Sequence, residues 1–181
     1  MRIIAGIHRS RSLESVCGEV TRPTSDKIKE AVYSSIGPYF EGGVILDVFG
    51  GSGAVALEAI SRGMEKAYII DDNFAAIQVI KRNVAILKEE KRVEVIKTHY
   101  RNALKRLMDM RFDIIYLDPP YAMEVYDEII TFIVNEKMLN PTGILICESR
   151  NDLQMKNQYG NLKKTKEKEY RLTKITYFKG E

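Results

Sequence analysis

Short apolar runs recur along the chain, and each is followed by a longer stretch whose apolar positions fall three or four residues apart. "VILDV" (Val44–Val48) has the density of a buried strand. "GAVALEAISRG" then places Val55, Leu57, Ala59 and Ile60 on a helical stripe and stops at Gly63. "KAYIID" (Lys66–Asp71) predicts a second strand, and "NFAAIQVIKRNVAILK" a helix with Phe74, Ile77, Ile80, Val84 and Leu87 on one face and Asp72 or Asn73 as its N-cap. The alternation continues through "RVEVIK" (Arg92–Lys97), a short helix over Arg101–Met110, "FDIIYLD" (Phe112–Asp118), the helical "VYDEIITFIVNE" and "GILICE" (Gly143–Glu148).

Strands that alternate with helices predict an α/β fold, a mostly parallel sheet covered on both faces. The ends of the chain break the pattern. "LKKTKEKEYRLTKITYFKG" holds two β-leaning runs with no room for a helix, so a C-terminal antiparallel hairpin is expected, for seven strands in all. "RIIAGIHRSRSLESV" alternates loosely around Arg9–Ser12 and predicts a small N-terminal β-hairpin. "RPTSDKIKEAVYSSIG" predicts a helix capped by Thr24 or Ser25 and ended by Gly37 and Pro38. The expected organisation is one domain over 1–181, with 1–20 a basic hairpin extension and 21–181 the core.

Composition narrows the function classes. The chain has 181 residues, 45% hydrophobic and 29% charged, with no apolar run of the roughly 18 residues that span a bilayer. No secretory signal is visible at the N-terminus. Cys17 and Cys147 have no metal-ligand spacing, and His8 and His99 are the only histidines, so no metal site is expected and a reduced, cytoplasmic protein is the simplest reading. Net charge is +3, unevenly spread: residues 1–30 carry six Lys/Arg against four Asp/Glu, residues 150–181 nine against four, and the middle 13 against 17. Basic ends suit a polyanion, and they equally suit a solvated surface.

Two motifs carry chemistry. In "LDVFGGSGAVALEA", Gly50, Gly51 and Gly53 lie between a strand and a helix, where missing side chains let a ligand approach the backbone near a helix N-terminus. Asp71 follows Gly51 by twenty residues, at the end of the next strand, a position from which an acid takes both hydroxyls of a ribose. Gly51, Gly53 and Ala56 also satisfy a relaxed dinucleotide fingerprint, which keeps a nicotinamide or flavin cofactor in view. Asp47 favours a different ligand: a carboxylate there repels a pyrophosphate but suits the amino group of S-adenosylmethionine.

The second motif ends the fourth strand as Asp118-Pro119-Pro120-Tyr121. In open α/β sheets ligands bind beyond the carboxyl ends of strands, so this turn is expected to face the ligand held by the glycines. Prolines fix the backbone, so a carbonyl around Pro119 and the Asp118 side chain form a pair of acceptors for an NH₂ group. Holding both hydrogens orients a poorly nucleophilic amine toward an electrophilic methyl. Tyr121 offers a face on which a flipped-out base can stack.

These segments together resemble a known family. "MRIIAG", "TRPTSDKIKEAVYSSIG", "LDVFGGSGAVALEAISRG", "FDIIYLDPPY" and the terminal hairpin are similar, in the same order, to the bacterial RsmD-like methyltransferases, which modify the 2-amino group of a guanine in small-subunit (16S) ribosomal RNA. The resemblance implies a Rossmann-like class I methyltransferase fold and S-adenosylmethionine as cofactor. It places Asp47, Phe49, Gly50, Gly51, Ser52 and Gly53 on the methionine-binding turn, Asp71 with Asp72 at the ribose, and His99 with Tyr100 at the adenine. Asp118, Pro119, Pro120 and Tyr121 fall on the catalytic turn, and Arg22, Pro23 and Thr24 on a segment that closes over cofactor or substrate. Phe49-Gly50-Gly51 replaces the more usual Phe-Ala-Gly, and His99 stands where relatives carry an adenine-contacting Asp. Arg2, Arg9, Arg11 and Arg22 are the expected contacts to RNA phosphates. The implied partner is ribosomal RNA or an assembling small subunit, met by a monomer with no membrane association. A DNA or protein-amide acceptor, an oxidoreductase and a non-catalytic RNA-binding protein are the competing readings.

Overall fold

The computed structural model describes residues 1–16, 24–120 and 122–180. The chain forms two compact units, Met1–Ala103 and Leu104–Glu181.

The first unit holds α1 (Thr24–Ile36), β1 (Val44–Asp47), α2 (Ala54–Ser61), β2 (Lys66–Asp71), α3 (Phe74–Leu87) and β3 (Val93–Lys97). The predicted alternation is present, and β2 pairs in parallel with β1 on one side and β3 on the other, with Ile45 opposite Ala67 and Ile69 opposite Val95. The strands are short and buried because both faces are covered, which is why they read as continuous apolar runs. Asn73, the second of the two cap candidates, caps α3: its side chain accepts from the amides of Ala75 and Ala76. α4 (Tyr100–Leu107) follows β3.

The N-terminal segment departs from the expected hairpin. It makes one isolated antiparallel bridge, Arg2 to Ser12, with Ile3 N–H bonding Arg11 O at 2.9 Å and Ser10 N–H bonding Ile3 O at 2.9 Å. The cause is competition for its amides. Ile4 and Ala5 donate to the two carboxylate oxygens of Glu58 on α2, at 2.8 and 3.0 Å, and Ile7 donates to the carbonyl of Ser61 at 2.8 Å. Gly6 has φ +86°, and a Cβ there would lie 1.8 Å from the Ser61 carbonyl oxygen, so only glycine lets the segment press onto α2. Glu58 is fully buried and also meets Arg62 Nε at 2.7 Å and Lys29 Nζ at 3.3 Å. Lys29, itself buried, reaches on to the carbonyl of Arg2. Burial lowers the Lys29 pKa, against the pull of Glu58 and Asp26.

The second unit holds β4 (Phe112–Leu117), α5 (Tyr126–Asn135), β5 (Leu139–Arg150), β6 (Gln158–Tyr159), β7 (Leu162–Glu169) and β8 (Thr173–Gly180). β4 and β5 are parallel, with Leu117 opposite Cys147. β8 runs antiparallel to β5, and β7 antiparallel to β8, so the C-terminal hairpin is present. Eight strands occur among the described residues where seven were expected. The addition is the two-residue β6, which pairs with the start of β7. The lysines of β7 are largely exposed, as suits a solvated strand. No described helix is long and apolar enough to cross a membrane, and no group of described residues could hold a metal ion. Cys147 is a buried free thiol whose pKa burial pushes up, and Cys17 lies outside the described residues.

Because Glu58 is the shared acceptor for two buried cations and two backbone amides, Glu58→Gln is expected to lower stability by about 3–5 kcal/mol, read from urea unfolding.

Candidate active site

The glycine turn after β1 is held by backbone bonds. Gly50 N–H donates to Ile70 O at 2.7 Å, docking the turn onto the end of β2, and Gly53 N–H closes it on Gly50 O at 2.7 Å. Gly51 has φ +55°, and a Cβ built there would find nothing within 4 Å, so the outer edge of the turn is open. The Gly51 N–H points to Asp71 Oδ2 at 2.9 Å, and Asn73 N–H donates to Asp71 Oδ1 at 2.9 Å. Each Asp71 oxygen keeps a further lone pair for a ligand hydroxyl. Partial burial raises the Asp71 pKa, opposed by these same amide bonds. Ser52 is buried, its hydroxyl meets Met1 Sδ at 3.4 Å, and its carbonyl accepts from the Asn83 side chain at 2.9 Å.

Asp47 ends β1 beneath this turn and is buried, at 2% exposure. Its Oδ1 has no hydrogen-bond partner. Burial raises its pKa from 3.8 to about 7, with amide bonds from Phe49 and Ala56 pulling the other way and the Asp71 charge adding to the rise. A buried oxygen with no donor in the protein is an acceptor built for something else.

Phe49, half-buried, packs against Tyr100 with ring centroids 5.5 Å apart. His99, also half-buried, lies over Tyr100 at 4.4 Å. Tyr100 is thus a buried floor beneath Phe49 and His99. Asp72 is exposed, and Phe74 beside it is 63% exposed with Lys97 Nζ 4.7 Å from its ring.

In the second unit the chain leaves β4 at Leu117 and enters Asp118, half-buried, Pro119, buried, and Pro120, exposed. Pro120 O accepts from Met123 N–H at 2.8 Å, which tightens the turn. On β5, Glu148 accepts at Oε2 from the Tyr116 hydroxyl at 2.7 Å, and its carbonyl accepts from the Tyr126 hydroxyl. Tyr121, Arg22 and Pro23 lie outside the described residues, and so does the side chain of Thr24.

Arg2, Arg9 and Arg11 are all exposed on the N-terminal segment, Arg2 within 3.9 Å of Asp26. His8 pairs with Glu89 at 2.5 Å, and Arg92 also bonds that carboxylate. Sequence reasoning missed Glu58, Ser61 and Asn83, which fasten the N-terminal segment and the turn, and Glu148. Glu58 left a trace: it is the one charge inside the apolar "AVALEAIS".

The family described as conserved hypothetical protein 95 matches residues 1–179. YlbH of Bacillus subtilis, provisionally named an rRNA methyltransferase, is 38% identical over 99% of this chain and 98% of its own length. Ribosomal RNA small subunit methyltransferase D of Escherichia coli K12 is 30% identical over 82% of this chain and 74% of its own. Among solved structures, yhhF of Escherichia coli, provisionally named a methyltransferase, superposes with a TM-score of 0.86 at 26% identity, covering 100% of this chain and 98% of that one. At 12% identity the methyltransferase SMU.776, solved with S-adenosylhomocysteine, shares the fold with a TM-score of 0.69, over 83% of this chain and 49% of that one. The fold is the Rossmann-like class I methyltransferase fold, and the chain belongs to the conserved hypothetical protein 95 family, that of the RsmD-like rRNA methyltransferases.

Proposed function

We propose that this chain transfers a methyl group from S-adenosylmethionine to the exocyclic 2-amino group of a guanine in small-subunit ribosomal RNA. Family membership and the names of the relatives support S-adenosylmethionine-dependent rRNA methylation. The observation that carries the choice of cofactor is Asp47, a buried carboxylate with a donor-less oxygen under a glycine turn. It suits a positively charged amino group and opposes the pyrophosphate of a nicotinamide or flavin dinucleotide.

The residues present fit the cofactor. Asp47 would take its amino group, and the open edge of the turn at Gly51, with Gly50, Ser52 and Gly53 shaping it, leaves room for the methionine portion. Asp71, fixed by two backbone amides, would take the ribose hydroxyls, with exposed Asp72 at its rim. Phe49 and His99, packed on Tyr100, would flank the adenine. When bound, the cofactor supplies a methyl carried on a sulfonium, so no enzyme nucleophile is required.

The chain's own part is to prepare the acceptor. Asp118 and the carbonyl beside Pro119 take the two amino hydrogens of the base, which turns the nitrogen lone pair outward and favours loss of a proton as the new bond forms. The prolines hold these acceptors still. Tyr121 is assigned the stacking role, and Arg22, Pro23 and Thr24 the closing segment, as the family resemblance implies. Arg2, Arg9, Arg11 and Arg22 neutralise RNA phosphates and give binding its salt dependence.

Nucleoside mass analysis of rRNA from cells lacking the protein should show loss of N2-methylguanosine from the small subunit. Asp118→Ala should lower methylation by about 10²-fold or more while S-adenosylhomocysteine binding is unchanged, since the carboxylate acts on the acceptor. Normal methylation by that variant overturns the catalytic assignment.

Asp47 makes a second, pH-dependent prediction. Its folded pKa of about 7 lies above the unfolded 3.8, so as pH rises the unfolded chain ionises first, and ligand-free stability falls between about pH 4 and pH 7. Asp47→Asn should remove that slope and leave the ligand-free protein more stable than wild type at pH 8, in urea unfolding. It should also weaken S-adenosylmethionine binding and abolish the rise in affinity as pH crosses 7.

A further inference from the structure

We propose that Glu148 selects guanine, by accepting the N1–H that lies next to the amine being methylated. The inference rests on the guanine-methylation reading and assigns the specificity of that same site.

Placement comes first. Leu117 and Cys147 are partners in the β4–β5 ladder, and it is parallel. Asp118 follows Leu117 by one residue, and Glu148 follows Cys147 by one residue. The two carboxylate-bearing residues therefore stand at the same level, Asp118 just past the end of β4 and Glu148 still within β5, about 5 Å apart along the hydrogen-bonding direction. Both are half-buried and lie toward the carboxyl ends of parallel strands, the edge where α/β folds place their ligands.

Orientation comes next. Tyr116 and Ile146 are partners one step earlier, and the Tyr116 hydroxyl reaches Glu148 Oε2 at 2.7 Å. That bond fixes the carboxylate on the Tyr116 face of the sheet, and a carboxylate is an acceptor-only group with two lone pairs on each oxygen. The Tyr126 hydroxyl holds the Glu148 carbonyl, so the backbone beneath the side chain is anchored too. The preceding residues of β5, Ile144 to Cys147, are apolar and buried. A carboxylate ending that run costs desolvation, which hydrogen bonds from donors offset.

The chemistry of the bases supplies the partner. A guanine presents its 2-amino group beside N1–H, a row of donors. An adenine presents its 6-amino group beside N1, an acceptor, and a cytosine its 4-amino group beside N3, also an acceptor. Asp118 accepts from an amine in all three cases and cannot tell them apart. A second, acceptor-only group at the next strand end can: it bonds N1–H of guanine and faces an unprotonated ring nitrogen, lone pair to lone pair, in the other two. A site built to bond a donor rejects an analogue lacking it far more strongly than an apolar pocket rejects a change of size.

The test uses the full-length protein and small ribosomal subunits from cells lacking it. Methylated nucleosides are quantified per cofactor-binding site, with the sites counted by S-adenosylhomocysteine titration so that misfolded protein does not enter the rate. Glu148→Gln, whose amide donates as well as accepts, should make N2-methylguanosine at least tenfold more slowly. Glu148→Asp, which keeps an acceptor-only group, should retain more guanine methylation than Glu148→Gln. A Glu148→Gln rate within twofold of wild type, or equal rates for the two variants, overturns the proposal and leaves the function standing. Absence of N2-methylguanosine from the wild-type reaction instead overturns the function on which it rests.

Discussion

The first unit depends on a carboxylate that never touches solvent. Glu58 gathers two amides of the N-terminal segment, the Arg62 guanidinium and the Lys29 ammonium around one helix position. Each ligand brings a different stretch of chain: residues 4–5, the first long helix, and the end of α2 itself. An ion cluster of this sort is a poor source of net stability, because desolvation of the charges offsets most of the attraction. Its value is specificity of placement. Ser61 adds side-chain bonds to Ala5 and His8, and Glu89 and Asn83 hold His8 and Glu14, so Glu58 is the charged centre of a wider set of tethers. With them, exposed Arg2, Arg9 and Arg11 are displayed from a fixed backbone. α2 is also the helix that follows the glycine turn, so the same carboxylate links the arginine-bearing segment to the helix that begins at that turn.

The elements that alternate were legible because both of their periods are strong: buried parallel strands give unbroken apolar runs, and their helices show one stripe. The site motifs were legible for a related reason. Gly50, Gly51, Asp71 and Asp118 sit at strand ends, where the fold itself dictates chemistry, and Gly51 and Asp71 do meet at 2.9 Å. The N-terminal segment was misread as a hairpin because alternation reports which side chains are buried, not where backbone amides go. Its amides go to Glu58 and Ser61, more than fifty residues away, and no local pattern announces that. β6 was missed because two residues leave no period to detect. Glu148 was read only as the last residue of a strand, since its meaning depends on the register that sets it level with Asp118.

Asp47 and Asp71 show how one turn can use acids in opposite ways. Asp71 accepts from two backbone amides before any ligand arrives, and these bonds oppose the rise that partial burial gives its pKa. Asp47 is buried with an oxygen that no donor serves, and it carries its destabilisation openly, as a pKa near 7. A protein stabilised only by its own contacts would replace Asp47 with Asn. Keeping the acid makes sense when a cation binds against it, because the ligand then restores ionisation and recovers part of what burial cost.

An enzyme acting on an RNA base faces contradictory electrostatics. The backbone of its substrate is anionic and demands cations, whereas, on the proposed guanine-N2 reading, the amine to be methylated, the ring N–H beside it and the amino group of the cofactor are all donors and demand anions. Mixing the two sets would neutralise both. The chain separates them along its length: excess Lys and Arg lie in the terminal segments, and the acidic middle contains Asp47, Asp71, Asp118 and Glu148. In the proposed reading, long-range attraction survives at the ends, where exposed charges such as Arg2, Arg9 and Arg11 act through solvent over about a Debye length. In the same proposed reading, short-range recognition survives in the middle, where buried Asp47 and half-buried Asp71, Asp118 and Glu148 act through directed hydrogen bonds that salt screens little. Raising ionic strength therefore weakens the capture of RNA more than it weakens the reading of a base already captured.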